Sequence, residues 1–163
     1  MIGNDVIDIA LAKQESNWQR ARFLQKIFTK AEQQFILDSN NPELAVWNLW
    51  SRKEAAYKIL ARQTGIRRFI PLQLECSDLE FESVVSYKET AYFTRTKITD
   101  YSIYTVAVTA AADLNRLLEL PTDTIIVKID NLPFIKDSKS VLRPVSISHH
   151  GQFHNVVMLR DAI

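Results

Sequence analysis

The chain has 163 residues and a formal charge of +1, from 20 basic and 19 acidic side chains. An apolar content of 47% excludes a disordered chain and fits one domain over residues 1–163. Balanced charge gives no general pull toward nucleic acid or an anionic membrane, and the single Cys76 excludes an internal disulfide and any CxxC site.

Residues 2–9 are rich in branched apolar side chains and predict a short strand. Residues 17–27 predict a helix with Ser16 as N-cap. Thr29-Lys30-Ala31-Glu32 is a capping-box pattern that opens another short helix. Asn41-Pro42-Glu43 places a cap, a proline at the first helical position and an acid in the first turn. That helix runs to about Gln63 and stops near Gly65. Leu44, Trp47, Trp50, Tyr57 and Leu60 have the spacing of its buried face.

From Pro71 the texture changes. Residues 72–76, 83–87, 91–98 and 102–109 read as successive strands, rich in threonine, aromatics and valine. Short polar breaks between them fit an antiparallel meander. Residues 111–119 read as a short helix, 124–129 as a strand and 131–143 as an irregular loop. Residues 145–148 and 153–159 read as the last two strands. Helices early and strands late predict an α+β domain, with an antiparallel sheet packed against helices. No basic segment leading into an apolar one follows Met1, and the longest uncharged apolar stretch, Tyr101 to Ala112, is too short to span a bilayer of about 30 Å. A cytoplasmic location is the expectation.

Glycine narrows the chemistry. Average usage near 7% would give about eleven, whereas the chain has Gly3, Gly65 and Gly151 alone. Glycine-rich dinucleotide and phosphate loops are therefore excluded. A bound nucleotide would be held by side chains, metal and isolated backbone donors.

Three segments could carry chemistry, and each has a plain alternative. In Gly3-Asn4-Asp5-Val6-Ile7-Asp8-Ile9, an acid inside an apolar strand needs a cation or metal to offset desolvation. Otherwise Asp5 caps a turn and Asp8 is solvated at a strand edge. In Trp50-Ser51-Arg52-Lys53-Glu54-Ala55-Ala56-Tyr57-Lys58, Glu54 and Lys58 share a helix face as an exposed ion pair, with Arg52 and Lys53 solvated. Alternatively Glu54 faces a pocket beside Asp5, the two carboxylates hold Mg²⁺, and Lys58 meets a phosphate or relays a proton. In residues 144–154, Ser148 and His149 could donate to a phosphate from a turn at Gly151. The bland alternative there is a polar hairpin. Adjacent His149 and His150 point to opposite strand faces, which disfavours a shared zinc ion.

Together, Gly-x-Asp, Trp-Ser-x-Lys-Glu-Ala-x-x-Lys and Ser-Ile-Ser-His resemble the 4'-phosphopantetheinyl transferase superfamily. Phe28-Thr29-Lys30-Ala31-Glu32 is similar to its Phe-(Ser/Thr)-x-x-Glu element, and Thr64-Gly65-Ile66 to the turn after its Lys-Glu helix. The element order resembles the holo-acyl-carrier-protein synthase type, although residues 71–110 look more like part of the larger surfactin-synthetase type. Ile7 stands where the larger type often has a third carboxylate, and Gln63 replaces the usual glycine before Thr64. The resemblance implies transfer of 4'-phosphopantetheine from coenzyme A to a serine of an acyl or peptidyl carrier protein, with release of 3',5'-ADP. It implies Mg²⁺ at Asp5 and Glu54, and catalysis by Asp5, Glu54 and Lys58. It implies coenzyme A contacts at Lys53, Lys58, Thr64, Gly65, Ser148 and His149, and a homotrimer with the site between neighbours. Arg20, Arg22, Lys26 and Lys30 form a basic face suited to an acidic carrier, or simply a solvated one.

Overall fold

The computed structural model describes residues 1–77 and 82–161. β1 (Ile2–Asp8) leads into α1 (Ile9–Glu15), α2 (Phe23–Ile27), α3 (Lys30–Asp38) and the long α4 (Pro42–Thr64). Strands follow: β2 (Glu75–Ser77), β3 (Glu82–Tyr87), β4 (Thr90–Ile98), β5 (Ser102–Val108), β6 (Leu117–Leu120) and β7 (Val127–Ile129). β8 (Leu132–Lys136), β9 (Leu142–Pro144), β10 (Ser146–His150) and β11 (Phe153–Leu159) complete the order. Antiparallel sheets with helices packed on them make the α+β fold expected from the sequence.

α4 forms where its signals lie. The Asn41 side chain accepts the Leu44 N–H, Pro42 opens the first turn and Gly65 ends the helix at φ 73°. That backbone region favours glycine, because it has no Cβ to clash there. The burial of α4 is broader than one stripe. Ala45, Leu49, Ala56 and Ile59 are buried beside Trp47 and Leu60, whereas Leu44, Trp50 and Tyr57 are half-buried. α4 lies against β1 and β5 and also contacts α3 and β2, so more than one face leaves water.

The main sheet has the order β1-β5-β4-β3-β2, with β1 at one edge. β1 is buried throughout except at Asp5, which is half-buried. α4 packs on it, and so does a second sheet of order β10-β11-β6. Ile2, Val106, Val108, Leu114 and Val157 fill a cluster between the two sheets. A third sheet, β7-β8-β9, stands beyond.

Four sequence expectations need correction. Residues 17–27 are not one helix. Ser16 ends α1, whose N-cap is Asp8, and Arg22 sits at φ 65° before the short α2. Residues 111–119 split into a 3-10 turn, Ala111–Arg116, and strand β6. The supposed loop 131–143 contains β8 and β9, while the expected strand 124–129 is formed only at its end, in β7. Asp130 and Asn131, both at positive φ, make the two-residue turn that joins β7 to β8.

Candidate active site

β1 and α4 bring the two carboxylates together. Asp5, Glu54, His149 and His150 line one cleft of about 320 Å³, with Phe23, Trp47 and Trp50 among its apolar walls. Burial pushes the Asp5 carboxyl up to about 6, against the pull of Lys58. Burial and the neighbouring Asp5 charge push Glu54 up to about 7. Two acids from different elements therefore share one poorly solvated pocket.

Lys58 does not settle into an ion pair with Glu54. Its Nζ donates to the Asn4 carbonyl at 2.6 Å and the Ile147 carbonyl at 3.1 Å, and lies 3.8 Å from Asp5 Oδ1. It thus ties β1 to β10 with its charge beside Asp5. Its other side borders a second cavity of about 270 Å³, lined also by Arg62, Arg67 and Pro133.

The donor set suits a hard divalent cation. Asp5 Oδ2 is buried without a well-formed hydrogen bond among the described residues, although the Ser51 hydroxyl and the Val6 N–H act weakly on the carboxyl. A second carboxylate lines the same cleft. No group of three or more His, Cys, Asp or Glu suited to a metal occurs among the described residues. Two carboxylates with room for substrate oxygens and water match the usual protein ligation of Mg²⁺.

Asp8 takes a different part from Asp5. Its Oδ1 accepts the Leu11 N–H and caps α1. That bond, the largest influence on it, holds its carboxyl below the ordinary range. Neither is it merely solvated at an edge: it is buried, and a Cβ on Gly151 would come within 2.3 Å of its Oδ2. Gly151 thus lets the hairpin approach Asp8 rather than a ligand.

Ser148 and His149 sit in strand β10, not in the turn, and face opposite ways. Ser148 is buried and its Oγ has no partner among the described residues. His149 is exposed and packs edge-on against His154, its cross-strand partner. One chain supplies Asp5, Glu54 and His149 to the cleft, so a neighbour is not needed to bring them together.

The expected coenzyme A contact at Lys53 is not supported. Lys53 is fully buried, and its Nζ reaches Glu32 Oε2 at 2.6 Å and the Ile27 and Pro71 carbonyls. Glu32 also accepts the Thr29 and Cys76 N–H groups. The Phe-Thr-x-x-Glu element is therefore a buried brace between α3, α4 and β2. Arg52 is buried as well, donating to Asn48 and Ser83, so neither cation is a solvated helix charge. Thr64 and Gly65 lie at the end of α4, roughly 15 Å along the helix from Glu54. There the Thr64 hydroxyl donates to the Leu60 carbonyl.

Glu15 and Phe23 carry no sequence signal for the site, and the sequence points to Arg20 only as part of a basic face. The Arg20 guanidinium lies over the Phe23 ring at 5.2 Å and lines the cleft. Arg20, Arg22 and Lys26 are exposed, a basic lip beside it.

A family model described as the 4'-phosphopantetheinyl transferase superfamily matches residues 1–109. The chain belongs to that superfamily. It is similar to the holo-[acyl-carrier-protein] synthase of Chlamydia felis, 39% identical over 69 residues, or 42% of this chain and 55% of that protein. The synthase of the same name from Chlamydia caviae is 36% identical over 69 residues, with the same coverage. That of Caldanaerobacter subterraneus is 34% identical over 68 residues, covering 42% of this chain and 51% of the relative. The chain spans about half the length of the curated relatives it matches. The family match contains Asp5, Glu54 and Lys58 and ends next to β5, so Ser148 and His149 lie outside it.

Proposed function

We propose that this chain transfers the 4'-phosphopantetheine group of coenzyme A to a serine hydroxyl of an apo acyl or peptidyl carrier protein, releasing 3',5'-ADP. The observation that carries this reading is the pair of poorly solvated carboxylates, Asp5 and Glu54, set beside Lys58 in a cleft that His149 also lines. Asp5 and Glu54 would hold Mg²⁺. Such an ion, when bound, supplies neutralisation of the negative charge on the pyrophosphate.

In the reaction the serine oxygen forms a bond to the phosphorus on the pantetheine side. The P–O bond to 3',5'-ADP breaks. The serine proton must leave, and the Glu54 carboxylate, which lines the same cleft, is placed to take it through water. Lys58 places a positive charge beside Asp5, where it can meet a phosphate oxygen. His149, exposed at the cleft, can donate to the nucleotide phosphates.

Incubation with coenzyme A and apo acyl- and peptidyl-carrier proteins, with and without EDTA, tests the reading by intact mass. The expected result is a carrier heavier by one phosphopantetheine, lost with EDTA. Free phosphopantetheine with unmodified carriers would instead identify a hydrolase and overturn the proposal.

A further inference from the structure

β1 pairs with β5 along one edge only. An open strand edge leaves backbone donors and acceptors without a ladder partner. Here side chains of β10 occupy that edge. The Asn4 N–H donates to Ser146 Oγ at 2.9 Å, and the Asp8 N–H donates to His150 Nδ1 at 2.8 Å. The two donors are four residues apart, and so are the two acceptors, in the same chain direction. Ser146 and His150 share one face of β10, since strand side chains alternate. The β10 main chain is meanwhile paired with β11. β10 thus lies beside β1 like a parallel neighbour whose rungs are side chains.

His150 is fixed in this role by its second nitrogen. Because Nδ1 accepts, the neutral ring carries its hydrogen on Nε2, which lies 3.3 Å from Glu15 Oε2. His150 keeps this clamp while it lines the cleft beside His149. The two clamped amides flank Asp5, one residue before it and three after.

We propose that Ser146 and His150 are positioning residues: they clamp the open edge of β1 and so hold Asp5 in register with Glu54. The inference rests on the transferase reading for its purpose, but the clamp itself can be measured without turnover. Amide hydrogen exchange by NMR and Mn²⁺ titration calorimetry would be applied to Ser146→Ala and His150→Leu. Ser146→Thr keeps the hydroxyl, and His150→Asn keeps an acceptor near the Nδ1 position.

The Asn4 amide should exchange faster in Ser146→Ala and the Asp8 amide faster in His150→Leu. Mn²⁺ affinity should fall about tenfold in each, the lower end of the loss seen when groups behind metal ligands are removed. The conservative variants should restore both. Faster exchange with unchanged Mn²⁺ affinity would make the two residues purely structural and overturn the proposal. Unchanged exchange would remove the clamp itself. If Ser146→Ala fails to fold, His150→Leu decides alone, since His150 is only half-buried. A wild type that binds Mn²⁺ yet leaves apo carriers unmodified would sink the transferase reading and leave the clamp standing.

Discussion

A Cβ on Gly3 would lie 2.1 Å from the carbonyl oxygen of Ala55. β1 and α4 touch backbone to backbone at this point. Asp5, two residues on, shares that strand face, and Glu54 is the helix neighbour of Ala55. The contact therefore sets how near the two carboxylates come. Gly3→Ala should force the elements apart and cost on the order of 1–3 kcal/mol, as overpacking does. Urea unfolding should show the loss, and Mn²⁺ titration of the folded fraction should show weaker binding. Unchanged values in both would refute the contact as a determinant of the site.

The two carboxylates should make the metal-free protein pH-sensitive. Their folded pKa values, about 6 for Asp5 and about 7 for Glu54, lie above ordinary carboxylate values. Between pH 4 and 7 the folded state then holds more protons than the unfolded state. Their contribution to stability is present at low pH and falls as pH rises through that window. At pH 8 without divalent cation, Asp5→Asn and Glu54→Gln should each melt higher than wild type. The gain should be about 2–4 °C for each kcal/mol relieved, and should shrink at pH 5. Mg²⁺ should raise the wild-type melting temperature at pH 8 and have little effect on either variant. Calorimetry across pH 5–8 is the measurement; variants that melt lower at pH 8 would contradict the assignment. Transfer activity should be nearly abolished in Glu54→Gln.

Lys53 should matter for folding and not for coenzyme A. Removing one partner of a buried ion pair typically costs about 3–5 kcal/mol, because the other charge stays buried and uncompensated. Lys53→Met should show a loss of that size in denaturant unfolding. Adding Glu32→Gln should recover part of it. The KM for coenzyme A in the folded fraction should stay near wild type; a rise of tenfold would return Lys53 to the binding site.

The basic lip should govern encounter with the carrier. Arg22 and Lys26 are exposed, and the Lys26 N–H bonds to the Arg22 carbonyl, so the two lie about one turn apart. Arg22→Glu with Lys26→Glu should raise the carrier KM several-fold at low salt and leave that for coenzyme A unchanged, as reversed rim charges slow association. The difference should narrow in high salt. Equal carrier KM values in wild type and variant would remove the lip as a docking surface.

What was legible in the sequence follows the reach of each signal. Helix caps act within four residues, so α3 and α4 could be placed from Thr29, Asn41, Pro42 and Gly65 alone. The Asp8 cap was hidden because Ile7 and Ile9 around it read as one continuous strand. The β7–β8 hairpin was hidden, because its flanks are short and interrupted by Pro133. Asp5, Glu54 and His149 could be singled out because motif order joined them. The burial of Lys53 and Arg52 could not, since a Lys on a helix is ordinarily solvated. Partners distant in sequence, Glu32 and Ser83 among them, reveal their enclosure. His150 escaped for the same reason: its partner is the backbone of Asp8, 142 residues away.

That separation bears on when the protein can work at all. β1 lies far in sequence from its partners: its hydrogen-bonded neighbour β5 and its side-chain rungs on β10 are roughly a hundred or more residues away. Contacts of such long sequence separation close slowly, because the intervening chain must first give up its freedom. Until β10 has docked, Asp5 sits on a strand held along one side only. A nascent or nicked chain could therefore carry every residue of the cleft and still lack a formed one. The cleft is then formed only once the β10–β11 hairpin is in place.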